Sequence, residues 1–228
     1  MIEDLKKRIK SKTDIQNLSF WFVRHGESEG NALGDTCPIM HDTPLTERGR
    51  KEVKEIVRYL QKNAIRITHI YTAPKGRSYQ TAEIIASSLG LPVNVEVGLD
   101  ERNWGKWESL RWEEASLRLD KMSLEDRYTF IPESGESWQQ MEKRLFTTLE
   151  EIADKSIKGE NILIITHRGC LRAVMPMLAK AGLEKHKEFS VATGAISKFS
   201  FEKDKFDFVG FIPKALSVFF SLISNITR

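Results

Sequence analysis

Short apolar runs alternate along the chain with longer stretches in which apolar residues recur every three or four positions. The runs LSFWFV, THIYT, LPVNVEV and NILIIT have the length and composition of buried strands. Apolar stripes that begin at Val53, Ala82 and Met141 have the spacing of helices that face a core. Strands that alternate with helices predict an α/β protein, here a three-layer α/β/α sandwich around a mostly parallel central sheet.

Three further segments refine this prediction. The segment 107–131 is charged, rich in tryptophan and without a clean period, which predicts an irregular insertion that caps a site. Strand-like runs at 193–201 and 206–211 predict a closing hairpin at the edge of the sheet. Pro176 interrupts the helix that follows NILIIT, which predicts a kink or a break there.

The length predicts a single domain over 1–228, with its core at about 19–212. Apolar residues at helical spacing predict a short docking helix in the extension 1–18. The tail 213–228 carries an apolar stripe and leaves three interpretations open: a helix folded back on the domain, a helix that docks on a partner or on a second copy to form a homodimer, or a membrane-surface helix. Its polar face is rich in serine and nearly uncharged, which disfavours the membrane.

The charge balance excludes several kinds of partner. The chain has 35 Lys and Arg against 32 Asp and Glu, and a net charge of +3 is too small to predict a nucleic-acid surface. The first residues lack the apolar core of a signal peptide, and no run approaches the roughly 20 apolar residues of a membrane span. The two cysteines, Cys37 and Cys170, form no CxxC pattern, so the sequence predicts neither a disulfide framework nor a zinc site with cysteine ligands. We therefore expect a cytoplasmic protein that binds neither nucleic acid nor membrane.

Cationic side chains follow three of the apolar runs. Arg24 and His25 end the run FWFV, Arg77 comes shortly after HIYT, and His167 follows NILIIT. Because the carboxyl ends of parallel strands lie at one edge of a sheet, these side chains should converge on one crevice. A neutral imidazole is a competent nucleophile near neutral pH, and an arginine fork binds phosphoryl oxygens. The pattern predicts a phosphate site with a histidine nucleophile.

The departure of an alcohol from a phosphoester also needs a proton. Glu101, in LDERNWG after the third predicted strand, is the candidate donor. A carboxylic acid can supply the proton once a partly desolvated crevice has raised its pKa. We expect such a raised pKa for Glu101.

Six ordered motifs, RHGESEGN, PLTERGR, YTAPKGRSYQTAE, LDERNWGKWE, PESGESW and ITHRGCLRAV, resemble the histidine phosphatase superfamily, also called phosphoglycerate mutase-like, over about 20–208. The resemblance implies a phosphohistidine mechanism with His25 as the nucleophile. It implies that Arg24, Arg77 and His167 complete the phosphate pocket and that Glu101 is the proton donor. It implies neither a metal nor a cofactor.

The resemblance also assigns less central positions. Ser28 and Asn31 match further phosphate-side residues, and Glu27 and Glu136 match supporting positions. Arg168 stands where the family usually has a small residue. It either adds an anion contact or narrows the entrance to the pocket, or it points away and pairs with a surface acid, and these interpretations remain open.

The family contains phosphatases and mutases, which share the pocket and differ in the acceptor of the phosphoryl group. ERNWG resembles a mutase motif, but Trp112 stands near the position of the mutases' substrate-binding lysine and Gly169 replaces their asparagine. The comparison favours a metal-independent phosphatase of phosphomonoesters. A cofactor-dependent phosphoglycerate mutase is the alternative, and a catalytically silent scaffold on the same fold is the minor one.

The substrate itself is left open by the sequence. A phosphorylated small molecule is expected, and a phosphoprotein also fits. Trp104, Trp107 and Trp112, together with the arginines of the insertion, either hold a ring or an anionic group of the substrate or pack the cap and face solvent.

Overall fold

The computed structural model describes residues 18–34, 42–157, 159–179, 181–202 and 205–212. The predicted docking helix ahead of the first strand and the tail 213–228 lie outside the described residues. Both therefore remain predictions.

Within the described residues, six strands form one mixed sheet in the order β3-β2-β4-β1-β5-β6. The strands are β1 Leu18–Arg24, β2 His69–Thr72, β3 Val93–Val95, β4 Asn161–Thr166, β5 Ile196–Glu202 and β6 Lys205–Ile212. The four neighbours β3, β2, β4 and β1 run parallel, whereas β5 pairs antiparallel with β1 and β6 pairs antiparallel with β5. The mostly parallel sheet is confirmed, and the last two strands form the hairpin at its edge.

Seven α-helices and three short 3-10 helices accompany the sheet in the described part of the chain. The α-helices are α1 Glu29–Ala32, α2 Glu47–Lys62, α3 Gly76–Leu89, α4 Trp112–Leu119, α5 Leu124–Thr129, α6 Trp138–Lys155 and α7 Arg168–Leu178. Thr46 caps α2 by accepting the Gly49 N–H, and Gly90, whose φ of 68° suits a glycine, caps the C-terminal end of α3. None of these helices is long and apolar enough to cross a membrane.

Helices cover both faces of the sheet, as the three-layer prediction requires. Trp21 and Val23 of β1 face the layer of α2 and α3, and Phe20 and Phe22 face the layer of α6 and α7. All four side chains are buried. Because both faces are covered, the central strands are continuous apolar runs in the sequence. Burial of each such side chain stabilises the folded state by about 1.5–3 kcal/mol.

One local prediction differs from the structure. The insertion is not irregular, because it folds into a 3-10 helix at Gly105–Ser109 followed by α4 and α5. These helices have eight and six residues, too few turns to show a helical period. The predicted break near Pro176 agrees with the structure, because α7 ends at Leu178, two residues after the proline.

Candidate active site

The register of β1 and β4 brings the two predicted histidines together. Arg24 is paired with Thr166, so His25 and His167 are the next residues of neighbouring parallel strands. The backbone N–H of His25 donates to the Thr166 carbonyl at 3.1 Å. The two imidazole rings lie 5.2 Å apart between centroids, at an angle of 62°. Both histidines therefore meet at the carboxyl edge of the sheet.

The contacts of His25 assign the state of its ring. Nδ1 lies 2.8 Å from the carbonyl oxygen of Gly26, so Nδ1 carries the proton and donates it. Nε2 then holds the lone pair, and it accepts the Nε–H of Arg77 at 3.1 Å. Burial, together with electrostatic repulsion from His167 and Arg77, lowers the pKa of His25 well below its usual value. The imidazole is neutral at neutral pH, with its nucleophilic atom engaged by an arginine.

Arg77 is held in place by a carboxylate that the sequence analysis did not single out. Its Nη1 donates to Asp42 Oδ1 at 3.0 Å, and the other carboxylate oxygen accepts the Gly76 N–H at 2.8 Å. Asp42 thus fixes both the guanidinium and the first turn of α3 that carries it. Since Asp42 lies in a loop 35 residues before Arg77, no sequence spacing connects the two.

His167 lies beside the crevice rather than in its wall. The residue is fully buried, and its Nε2 lies 3.3 Å from Ser78 Oγ and 3.4 Å from Asp100 Oδ1. Nδ1 is buried and has no hydrogen-bond partner among the described residues. Burial lowers the pKa of His167, although Asp100 opposes this shift. Ser78 and Asp100 therefore orient the ring and leave one nitrogen for a ligand.

Glu101 accepts two backbone N–H groups, one on each carboxylate oxygen. Oε1 accepts from Arg102 at 3.0 Å, and Oε2 accepts from Gly169 at 3.1 Å. Burial alone would raise the pKa of Glu101, but His167, these N–H groups and Arg77 together lower it. The raised pKa expected from the sequence is therefore wrong for the ligand-free protein. The two N–H donors stabilise the carboxylate, and they could not be read from the residue order.

Gly169 leaves the space that the Glu101 carboxylate occupies. A Cβ added at position 169 would lie 2.2 Å from Oε1 and 3.0 Å from Cδ of Glu101. An asparagine there, as in the mutases, is incompatible with this position of the carboxylate.

A crevice of about 410 Å³ opens at this edge of the sheet. Seven of the eight predicted site residues line it, namely Arg24, His25, Ser28, Asn31, Arg77, Glu101 and Arg168. The eighth, His167, contacts the ring of His25 as described above. The structure thus brings the predicted set together.

The loop after His25 is organised by Ser28 and Asn31. Ser28 caps α1: its Oγ accepts the backbone N–H of Asn31 at 3.3 Å and donates to Asn31 Oδ1 at 3.2 Å. The Asn31 amide oxygen is thereby occupied, which turns its NH₂ group into the free end of the side chain. Ser28 therefore acts on the crevice chiefly through Asn31.

Two arginines add positive charge to the crevice. Arg24 donates through Nη1 to the Val191 carbonyl at 2.7 Å, and its buried Nε has no partner among the described residues. Burial and the nearby Arg168 lower the pKa of Arg24 to about 10. The guanidinium of Arg168 lies 5.7 Å from the ring centroid of Trp112 and lines the crevice. This position agrees with the first interpretation of Arg168, an anion contact or a narrowed entrance.

A second arginine–carboxylate pair supports the loop that carries Glu101. Arg144 of α6 binds Glu136 through two N–H···O contacts of 2.6 and 3.2 Å. Its Nη1 also donates to the carbonyls of Gly98 and Asp100 at 2.8 and 3.0 Å. Glu136, predicted as a supporting residue, thus anchors the loop, but Arg144 was missed because an arginine on a charged helix gives no signal in the sequence.

Within the described residues, no three His, Cys, Asp or Glu side chains are grouped so that they could hold a metal ion. The candidate site combines two imidazoles, several guanidiniums and the carboxylates of Glu27 and Glu101. Such a set can bind a phosphoryl group and offer it a nitrogen nucleophile.

Comparison with known proteins gives the family context. The family model of the histidine phosphatase superfamily (branch 1) matches residues 20–212. The chain is 33% identical over 175 residues to a metal-independent phosphoserine phosphatase of Arabidopsis thaliana, covering 75% of this chain and 72% of the relative. It is also 30% identical over 195 residues to phosphoglycerate mutase-like protein 4 of the same plant, covering 83% and 84% of the two chains.

Among solved structures, the alpha-ribazole phosphatase from Shigella flexneri superposes with a TM-score of 0.69 at 25% sequence identity. The match covers 83% of this chain and 94% of that protein. The similar proteins therefore carry the names of both phosphatases and mutases.

Proposed function

The chain belongs to the histidine phosphatase superfamily, and on that premise we propose that it hydrolyses phosphomonoesters through a phosphohistidine formed on His25. One observation carries the proposal: the His25 imidazole is neutral and buried, and its Nε2 lone pair lies in a crevice lined by arginines. This is the state that a nitrogen nucleophile needs for attack on phosphorus.

Binding of the phosphoryl group uses donors that are free or easily released. Arg77 shifts its Nε–H from His25 Nε2 to a phosphoryl oxygen, which exposes the lone pair as the substrate arrives. The unpartnered Nε of Arg24 and the NH₂ group of Asn31 supply further donors. Nδ1 of His167 becomes a donor once that imidazole binds a proton, which the negative charge of the phosphoryl group favours. Fixed positive charge around the three equatorial oxygens stabilises the transition state.

The first step forms a P–N bond and breaks the ester P–O bond. His25 Nε2 attacks phosphorus, and the leaving alcohol oxygen takes a proton from Glu101. The pKa of this carboxyl is lowered in the free protein, and the incoming phosphoryl dianion opposes that shift, because a nearby negative charge favours the protonated form. The products of this step are the alcohol, phosphohistidine and the Glu101 carboxylate.

The second step regenerates the protein. A water molecule attacks the phosphohistidine, its proton passes to Glu101, and the P–N bond breaks to release inorganic phosphate. The Nδ1–H···O bond from His25 to Gly26 persists through both steps and keeps Nε2 as the reacting atom. Neither step calls on a metal ion.

Gly169 supports a phosphatase over a mutase. The space of its missing side chain is filled by the Glu101 carboxylate, and an asparagine would collide with it. Trp112, near the position of the mutases' lysine, lines the same crevice and offers no charge for a sugar-acid carboxylate. The mutase remains the second candidate, because several similar proteins bear that name.

The test is the release of inorganic phosphate in the presence of a chelator. Wild type and His25→Ala would be assayed with phosphoserine, 4-nitrophenyl phosphate and 3-phosphoglycerate, the last with and without 2,3-bisphosphoglycerate. We expect release by wild type only. Isomerisation of phosphoglycerate that depends on the bisphosphate would favour the mutase, and silence of wild type on all substrates, after a broader panel, would favour the scaffold.

A further inference from the structure

A second cavity adjoins the catalytic crevice beneath the helices of the insertion. Its volume is about 230 Å³. Five residues line both spaces: Arg102, Trp104, Trp112, Trp138 and Arg172. A molecule whose phosphoryl group lies in the crevice can therefore extend its alcohol part into this cavity.

The wall of the second cavity is largely apolar and aromatic. Trp104 and Trp112 meet edge to face, with centroids 5.8 Å apart, and Leu119, Leu124 and Tyr128 complete the side formed by α4 and α5. Apolar cavities of about 150 Å³ accept a benzene molecule, so this one has space for a ring with a substituent. A two- or three-carbon alcohol such as serine or glycerate leaves most of it empty.

Arg172 lies at the boundary between the two spaces. Its guanidinium lies 5.6 Å from the ring centroid of Trp138, and its Nε donates to the His186 carbonyl at 3.4 Å. Arg168 is one turn earlier on α7 and lies against Trp112 in the same way, at 5.7 Å. Two guanidiniums are thus stacked on two tryptophans at the junction.

Neither of these arginines forms an ion pair within the described part of the chain. Burial lowers the pKa of Arg172, and repulsion by Arg168 lowers it further, to about 10. Asp120, which lines the second cavity, is bound by Arg127 at 3.1 Å. The Glu101 carboxylate attracts Arg172 without forming an ion pair with it, so these two partly buried cations can still bind an anionic group on the ligand.

We propose that the substrate is a phosphomonoester whose alcohol part carries an aromatic ring and a carboxylate or similar anion on the ester carbon. The ring lies in the second cavity, and Arg172 and Arg168 hold the anion. This inference rests on the proposed function, because it takes the phosphoryl group to lie against His25. The tryptophans of the insertion then contact the ring, in addition to packing the cap.

The test is a square of four phosphonates, in which CH₂ replaces the ester oxygen and no turnover occurs. Ethylphosphonate has neither group, 2-phenylethylphosphonate adds the ring, 3-phosphonopropanoate adds the carboxylate, and 2-phenyl-3-phosphonopropanoate has both. Dissociation constants for the wild-type protein would be measured by titration calorimetry. We expect the ring to tighten binding at least tenfold and the carboxylate to tighten it a further fivefold or more.

Variants separate the two contributions. Ser116→Phe fills the second cavity from its wall and should abolish the gain from the ring, and Trp112→Leu should reduce it. Arg172→Met should abolish the gain from the carboxylate. Ethylphosphonate should bind Ser116→Phe as it binds wild type, because Ser116 lines the second cavity and not the crevice. The matched control is Arg118→Met, because Arg118 also lies over a tryptophan, Trp107 at 5.3 Å, but lines neither space.

The inference is wrong if 2-phenylethylphosphonate binds wild type no better than ethylphosphonate, or if either gain survives the variant meant to remove it. These results differ from a failure of the proposed function. If phosphate release depends on His25 but the four phosphonates bind with equal affinity, the proposed hydrolysis stands and the aromatic substrate is rejected. If the phosphonates show both expected gains in affinity but no phosphate is released from any substrate, the binding site stands and the hydrolysis is rejected.

Discussion

Gly169→Ala tests whether Glu101 is the proton donor without touching its carboxyl group. The added Cβ would lie 2.2 Å from Glu101 Oε1, whereas ordinary van der Waals contact begins at 3.4 Å. The carboxylate must therefore move by about 1 Å, and a displacement of this size can cost roughly 100-fold in rate. That loss corresponds to about 2.7 kcal/mol of transition-state stabilisation.

The assay compares two leaving groups. An alkyl phosphate such as phosphoserine releases a strongly basic alkoxide, which needs the proton, whereas 4-nitrophenyl phosphate releases a weakly basic phenolate. We expect kcat/KM of Gly169→Ala to fall about 100-fold on the alkyl substrate and less than about tenfold on the aryl one, since general acid catalysis contributes roughly 100-fold or more. The thermal unfolding midpoint should stay near that of wild type, because alanine is the better helix former.

The matched control is Gly76→Ala at the start of α3. There the added Cβ would lie 3.4 Å from Asp42 Oδ2, an ordinary contact, so both values of kcat/KM should stay within about twofold of wild type. The reasoning fails if Gly169→Ala keeps its activity on the alkyl substrate, or if it loses both substrates equally while remaining folded.

Four further outcomes follow from the contacts and pKa shifts of the site. Asp42→Ala removes the charged acceptor of Arg77 and should lower kcat/KM about tenfold or more in steady-state assays, and unchanged kinetics would contradict this role. Arg102→Met removes donors to two carbonyls and should lower the free energy of unfolding by about 2–3 kcal/mol in urea titrations, whereas a change under about 0.5 kcal/mol would be inconsistent. Because the pKa of His25 is lowered, its NMR signals should still report a neutral ring when the pH is decreased to 6.5. A titration midpoint near pH 6.5 would show that the pKa is not lowered. The unfolded chain then binds protons that the folded imidazoles of His25 and His167 do not, so stability should decrease as the pH falls below about 6.5.

The central layers of the fold could be predicted because burial leaves a direct mark on the sequence. The run NILIIT is buried from Ile162 to Thr166, and such a run bounded by polar residues has few alternatives to a central strand. The residues that end these runs, Arg24 with His25 and then His167, could be located for the same reason. The helices of the insertion could not, since α4 and α5 are too short to show a period.

The supporting contacts of the site were beyond the sequence because they join distant residues. Asp42 meets Arg77, Asp100 meets His167, and Arg144 meets Glu136 across loops and helices whose approach depends on the whole fold. The predicted direction of the pKa shift of Glu101 was wrong for a similar reason. The sequence pattern predicts that Glu101 lies in a desolvated crevice. It does not show which backbone N–H groups approach the carboxylate, and these groups oppose the effect of desolvation on its pKa.

The most direct test of the phosphohistidine is to trap it. Wild type and His25→Ala would be mixed with a ³²P-labelled phosphomonoester, quenched within milliseconds and digested for mass spectrometry. We expect a label that is stable in alkali, lost in acid and carried by His25 of the wild-type protein alone. A label on another residue, a label that persists in His25→Ala, or phosphate release without any labelled protein would contradict the account.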